Sequence, residues 1–337
     1  MDWNLLVPVM VLAAAPGLPA GAGLAARPPG VPAHTFSIVA RDPATGEMGV
    51  AVQSHWFSVG SLVSWAEPGV GAVATQSFAE ISYGPQGLDL MRAGATALEA
   101  LETLLAEDDD RELRQVAMVD ADGTVAVHTG ARCVEAAGHA VGDGVSAQAN
   151  MMERDTVWDA MLSAYGAAVP SFTDRLMAAL RAAETQGGDI RGRQSAAILV
   201  VDADAATEPW RHLVDLPVED HPDPVQELER LLRTHRAYEH FSRGTGLADT
   251  GRMEEAAGEL EQAHVLAPDD DHIAFVLGGM WVGSGRPVEG REILEQARAA
   301  NPRWADYLRR LAASGLLPND PAFLDVTMPL EPPPDAG

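Results

Sequence analysis

The sequence predicts an α+β protein, in which a four-layer αββα sandwich is followed by a small all-α helical domain. Apolar strand-like runs come in groups separated by pairs of helices, which is not the single βαβ alternation of a parallel sheet. Farther along, helical patterns recur with a period of 34 residues. With 337 residues, 47% of them hydrophobic, the chain is long enough for about two domains.

The charge and the cysteine content exclude several classes of function. The net charge is −26, and no lysine occurs among the 23 basic residues. A chain this acidic repels phosphate backbones, so we expect no nucleic-acid partner. Its single cysteine, Cys133, excludes a disulfide framework and a multi-cysteine metal site. The histidines are scattered and no nucleotide-binding or zinc motif is present, so we expect neither a metal nor a cofactor.

Residues 1–33 are predicted to be a signal-like leader. The apolar run at 5–15 is too short for a membrane span, and small residues follow it up to a cleavage-like segment at Val31–Ala33. We therefore expect export to the periplasm or medium. Asp2 lies where a signal peptide carries positive charge, so an uncleaved tail on a cytoplasmic protein is the alternative.

The pattern predicts the αββα domain over residues 35–205. A strand at 35–40, a turn at 42–46 and a strand at 48–54 form a hairpin. The remaining predicted elements are strands at 59–66, 70–77, 113–120, 124–130 and 194–202, and helices at 84–93, 95–107, 155–166 and 171–187. Near-continuous apolar runs such as 69–75 are typical of strands that are covered on both faces.

After residue 205 we expect a linker and an amphipathic helix over 206–234, a helical domain over 235–317 and a loose tail over 318–337. The 34-residue offset relates Gly251 to Gly285, Leu260–Ala263 to Leu294–Ala297, and Pro268 to Pro302. This period is typical of tetratricopeptide (TPR) repeats. Such a domain binds a protein partner or, equally, covers a dimer face.

Thr35 opens the first core strand directly after the leader. A threonine hydroxyl is a weak nucleophile, but a free α-amino group on the same residue, with a pKa near ~8, can act as its base. The alternative is a β-branched residue that only starts a strand.

Several segments resemble the domain-of-unknown-function family 1028, which is placed among N-terminal nucleophile (Ntn) hydrolase-like proteins. They are residues 35–47, 49–52, 68–76, 83–88, 129–133, 138–139, 148–150 and 187–197. The resemblance spans roughly 35–232 and implies the Ntn sandwich fold. By analogy it implies an amidohydrolase for a small amide or peptide-like substrate, with Thr35 as the nucleophile, and it implies self-association into a homo-oligomer.

Other polar residues are candidates for the same site. Asn150 is the first candidate for an oxyanion donor, and a turn or cap residue is the alternative. Ser54, Thr75 and Gln76 end neighbouring strands, and they line the same edge unless they only bond the edge of the core.

A second polar cluster is formed by Asp189, Arg191, Arg193 and Gln194. Two arginines at alternate positions suit an anion clamp, and a structural ion pair with Asp189 is the alternative.

The leader's best cleavage position, after Ala33, leaves His34 in front of Thr35 and so withholds the α-amine base. The sequence therefore keeps a second hypothesis: a catalytically inactive Ntn-fold protein that binds a partner through its TPR-like domain.

Overall fold

The computed structural model describes residues 31–33, 35–167 and 171–315. They form two antiparallel sheets, helices on the outer faces of both, and a helical C-terminal region. This confirms the predicted α+β class.

The six-stranded sheet contains the first strand of the predicted core. Its order is β11 (Val214–Val218), β10 (Ser195–Val201), β3 (Met48–Ser54), β2 (Thr35–Arg41), β9 (Val145–Ala149) and β8 (Gly138–Gly142). The five-stranded sheet has the order β1 (Val31–Ala33), β5 (Gly71–Ala79), β6 (Arg114–Asp120) and β7 (Val125–Thr129), with β4 (Ser64–Glu67) also paired to β5. The chain thus leaves one sheet at Ala33 and enters the other at Thr35.

Alternation along the strands separates the core into layers. On β2, Phe36 and Ile38 pack toward the helices, whereas Val39 packs toward the five-stranded sheet. Successive side chains of a strand point to opposite faces, so a strand buried on both faces reads as a continuous apolar run. The middle apolar layer joins Val39 and Val50 of one sheet to Ala72 of the other.

Some of the helices cover the outer faces of the two sheets, and the last four belong to the C-terminal region. Their bounds are α1 Gly60–Val63, α2 Tyr83–Arg92, α3 Ala97–Glu107, α4 Val157–Tyr165, α5 Phe172–Thr185, α6 Pro224–Asp249, α7 Met253–Leu266, α8 Asp271–Gly283, α9 Pro287–Ala300 and α10 Arg303–Ala313. Helices α2 and α3 pack on the five-stranded sheet, and α4, α5 and the start of α6 pack on the six-stranded sheet. A capping box in which Thr96 and Glu99 exchange hydrogen bonds starts α3.

Three predicted boundaries differ from the structure. The segment 59–66 forms α1 followed by β4, because Val59 and Val63 lie one helical turn apart and both are buried. Strand β11 lies inside the expected linker, so the six-stranded sheet extends beyond residue 205. Helix α6 runs unbroken through the expected domain boundary at 234–235.

The helical region repeats one packing contact with the predicted period. A Cβ on Gly244 of α6 would lie 2.9 Å from Leu260, and a Cβ on Gly278 of α8 would lie 2.7 Å from Leu294. Both members of the pair are displaced by 34 residues. Glycine allows the paired helices to approach closely at these two positions.

A row of aromatic side chains runs across the alternate helices α6, α8 and α10. Its members, spaced three residues apart on each helix, are Tyr238, Phe241, His272, Phe275, Trp304 and Tyr307. The closest pair is Phe275 and Trp304, whose ring centroids lie 4.4 Å apart.

The leader up to residue 30, His34 and the expected tail at 318–337 lie outside the described residues. Within the described ranges, no helix has both the length and the apolar character needed to cross a bilayer.

Candidate active site

The space between the two sheets is apolar at one end and polar at the other. Thr35 and Ser37 lie on the same face of β2 as Val39, because side chains alternate along a strand. From the five-stranded sheet, Gln76 and Gln115 enter the same polar end. All four polar residues are completely buried.

The backbone carbonyl of Thr35 is the point on which amide groups converge. It accepts from the Asn150 backbone N–H at 3.1 Å, from Asn150 Nδ2 at 3.3 Å and from Gln76 Nε2 at 3.2 Å. Thr35 is therefore fixed from both sheets at once, at the first residue of its strand.

Gln115 links the two carboxamides that hold the Thr35 carbonyl to strands β7, β8 and β9. Its Oε1 accepts from Gln76 Nε2 at 2.7 Å and from Asn150 Nδ2 at 3.0 Å. Its Nε2 donates to Thr129 Oγ1 and to the carbonyls of Gly138 and Ala149, at 2.9, 3.2 and 2.9 Å. One side chain thus satisfies partners on four strands.

A second arm of the network runs along β2 and β9. Ser37 Oγ donates to Gln76 Oε1 at 2.6 Å and accepts from Gln148 Nε2 at 2.6 Å. Ser146 Oγ donates to Gln148 Oε1 at 2.8 Å. The side chains of this network are hydroxyls and carboxamides, which are uncharged and are not strong bases. At its rim, Thr129 Oγ1 lies 2.9 Å from His139 Nδ1.

The structure brings four predicted residues together and separates a fifth. Ser54 is the cross-strand partner of Thr35, and Asn150 and Gln76 contact the Thr35 carbonyl. Thr75 alternates to the opposite face of β5, where its Oγ1 donates to the Glu80 carbonyl at 3.0 Å. It therefore does not line the edge occupied by Thr35.

The Asp189 cluster lies at the same end of the six-stranded sheet. Asp189 Oδ2 accepts from the His55 backbone N–H at 3.1 Å, and the Ile190 N–H donates to the Met151 carbonyl at 3.1 Å. These bonds attach the segment to the residues that directly follow Ser54 and Asn150.

Both arginines of that cluster are paired with acids of their own chain. Arg191 donates through Nε and Nη2 to the Asp189 carboxylate, at 3.0 and 2.6 Å, and the Asp189 side chain is fully buried. Arg193 pairs with Glu184 and, at 3.5 Å, with Asp223. The geometry favours the structural ion pair over the anion clamp.

Gln194 leads into β10, and its backbone N–H donates to the Ser54 carbonyl at 3.1 Å. Its side chain donates to Asp220 at 3.3 Å and so points toward the loop before α6.

Charged and titratable groups lie around this network. Arg114 is 2% exposed and donates to Asp108 at 2.8 Å and to the Phe78 carbonyl at 2.7 Å. Burial raises the pKa of the Cys133 thiol, which the Ser77 hydroxyl only partly offsets. Burial lowers the pKa of His139, as does nearby His128.

Sequence reasoning missed Ser37 and Gln115. Each is a polar residue at an alternate position of an otherwise apolar strand, which signals a polar patch in a buried layer.

Five surface cavities of about 260 to 400 Å³ have linings that do not include Thr35, Gln76, Gln115 or Asn150. Among the residues with assigned positions, no group of three or more metal-ligating side chains is assembled.

Comparisons with known proteins place this sandwich. Residues 35–228 match the family described as "Family of unknown function (DUF1028)". A crystal structure of protein SPO2555 from Silicibacter pomeroyi, assigned to the same family, is similar to this chain with 33% identity and a TM-score of 0.54. The match covers 59% of this chain and 88% of that one. No curated protein matches the chain. The family match begins at Thr35 and spans more than half of the sequence, and the chain therefore belongs to the DUF1028 family.

Proposed function

We propose that this protein is an exported amidohydrolase in which Thr35 becomes the nucleophile once the residues before it are removed. The observation that carries the proposal is the position of Thr35. It is the first residue of a central strand, its carbonyl is held by three amide donors, and it faces the polar end of the inter-sheet space. The segment preceding it belongs to a different sheet.

The uncharged side chains of the buried network support the α-amine of Thr35 as the base. Hydroxyls and carboxamides do not accept a proton near neutral pH, whereas a free α-amine with a pKa near ~8 does. The amine of a processed chain would take the proton of the Thr35 hydroxyl as its oxygen attacks an amide carbonyl carbon. Removing His34 and the residues before it is therefore the activating step of the proposal.

The carboxamides beside Thr35 are the candidates for the oxyanion donor of the proposed reaction. Asn150 Nδ2 and Gln76 Nε2 each donate to the Thr35 carbonyl and to Gln115 Oε1. One of these N–H groups has to turn from Gln115 to the substrate, where an uncharged donor stabilises a tetrahedral oxyanion. Collapse of that intermediate breaks the C–N bond, the departing amine takes the proton, and water then releases the acid from the Thr35 ester.

The test compares three forms of the protein: the full chain, a chain that starts at Thr35, and that shorter chain with Thr35→Ala. Each is incubated with a panel of acyl p-nitroanilides and short peptides. We expect turnover only when Thr35 is the first residue, and a loss of about 10³-fold or more in the alanine variant. Thr35→Ser should retain part of the rate, and Thr103→Ala on the surface of α3 should retain all of it. Equal rates with and without the Thr35 hydroxyl would refute the mechanism.

A second function, partner binding without catalysis, is favoured by the aromatic row. Tyr238 and Tyr307 at its two ends are 37% and 46% exposed. Such rings contribute strongly to interfaces. Peptides selected from a displayed library on the full chain should lose binding to a Tyr238→Ala, Tyr307→Ala double variant. Unchanged binding would remove the aromatic row from consideration.

A further inference from the structure

Strand β1 occupies a short edge of the five-stranded sheet next to Thr35. It pairs antiparallel with β5, with Val31 opposite Ala79 and Ala33 opposite Ser77. Strand β6 covers the other edge of β5, so β1 lies on the same edge as β4, which pairs with 71–74. One residue, His34, separates this strand from Thr35.

Only the ends of β1 can donate hydrogen bonds to β5. Pro32, opposite Phe78, has no amide hydrogen, so the ladder bonds of this segment are made at Val31 and Ala33. The Phe78 carbonyl points the other way and accepts from Arg114 Nη1 at 2.7 Å. The backbone groups of Ser77 and Ala79 therefore face β1.

Removal of the leader would leave these backbone groups without their strand partner. An uncovered edge pairs readily with an extended chain, and the bond pattern of the backbone then gives the affinity. Strand β4 limits this edge on one side, and the turn that leads into α2 at Tyr83 limits it on the other. The edge has room for about three residues.

We propose that the edge at Ser77–Ala79 binds the acyl side of a peptide substrate as an extended strand, in the place and direction of β1. This rests on the proposed function, because the edge is uncovered only in the processed chain. A peptide whose first three residues pair in the β1 register has the carbonyl of its fourth residue next to Thr35. In the full chain the fourth residue at this place is His34, which is joined to Thr35 by a peptide bond. Recognition is through the backbone at the positions opposite Ser77 and Ala79, and proline is accepted opposite Phe78.

Hydrogen–deuterium exchange of the Ser77 and Ala79 amides tests the proposal. The proteins are the full chain and the chain 35–337, which keeps the whole family match and lacks only β1 among the described elements. The probe is the peptide Val-Pro-Ala-His with an amidated end, at saturating concentration. We expect exchange at both amides to be on the order of tenfold faster in the shorter chain, and to slow again when the peptide is added.

Two altered peptides locate the contact. A peptide with N-methylalanine at the third position cannot donate opposite Ser77 and should give no protection. Val-Ala-Ala-His should protect as well as the parent, because the position opposite Phe78 makes no donor bond. The proposal is overturned if both chains exchange equally at Ser77 and Ala79, or if the N-methylated peptide protects them like the parent.

The same measurement on the Thr35→Ala form of the shorter chain separates this inference from the proposed function. Peptide protection that persists there, with no amide turnover in any form, would support the strand site and reject the hydrolase. Turnover by the Thr35 form without any peptide protection would reject the strand site and leave the hydrolase.

Discussion

Replacing Gln115 by methionine measures how strongly the buried amide network stabilises the sandwich. Methionine keeps the unbranched shape of glutamine but removes the carboxamide and the five hydrogen bonds that it makes. The donors on Gln76 and Asn150 keep the Thr35 carbonyl as a partner. The carbonyls of Gly138 and Ala149 lose this donor outright.

The expected magnitude follows from these bonds. The two hydrogens of Nε2 are shared among its three acceptors, so the contacts amount to four full hydrogen bonds at ~1 kcal/mol net each, and about 4 kcal/mol is lost. Burying an apolar side-chain end in place of a carboxamide recovers about 1 to 2 kcal/mol. Gln115→Met should therefore lower the free energy of unfolding by about 2 to 3 kcal/mol, measured by urea unfolding followed by far-UV circular dichroism.

Gln53 provides the matched control. It is also a completely buried glutamine on a central strand, β3, but neither its Oε1 nor its Nε2 has a hydrogen-bond partner among the described residues. Gln53→Met removes an uncompensated polar group and should raise the free energy of unfolding by about 1 kcal/mol. If both variants change stability by the same amount and in the same direction, the reasoning from hydrogen-bond satisfaction is refuted.

Three further predictions concern other parts of the fold. Asp108→Asn should cost about 3 kcal/mol in urea unfolding, because it leaves the buried Arg114 guanidinium without its anion, and an unchanged midpoint would contradict this. Burial raises the pKa of Tyr165 from 10.0 to about 12, so the folded state holds this proton longer than the unfolded state does. The wild type should therefore lose on the order of 2 kcal/mol between pH 10 and 12 that Tyr165→Phe does not lose, as thermal unfolding across that range would show. Gly278→Ala should destabilise α8, because the added Cβ would lie 2.7 Å from a leucine. Gly279→Ala has open space around its Cβ and should stabilise the same helix by up to about 1 kcal/mol. If the thermal midpoints of the two variants shift in the same direction, this packing argument is wrong.

Most helices and strands were predictable because their apolar pattern is local. The long runs at Met48–Ser54 and Ser195–Val201 are buried along their whole length, which is what a continuous apolar run indicates. Strand β11 was missed because Asp215 and Pro217 make it read as a linker, although Val214 and Val218 are buried at its ends. An edge strand tolerates proline and charge that a central strand does not.

The site was predictable only where a residue's position in its strand carried the information. Thr35 begins its strand, Asn150 directly follows one, and Gln76 lies near the end of the predicted strand 70–77, so the sequence alone identified them as candidates. The role of Gln115 depends on which strands from the other sheet face it, and pairing between distant segments is not encoded near the residue. The catalytic role of Thr35 and the binding role of the helical region stay predictions.

Helix α6 is one continuous helix that belongs both to the sandwich and to the C-terminal helical region. Its 26 residues span about 39 Å, with Leu228 and Leu232 buried against the sandwich and Gly244 buried against α7. Each residue of an α-helix rotates the following chain by about 100° around the helix axis. One residue inserted near position 235 would therefore rotate the helical region about the axis of α6 by that angle. Seven inserted residues make nearly two full turns and would return the helical region close to its original orientation. The length of α6 therefore fixes the angle at which the helical region is attached to the six-stranded sheet.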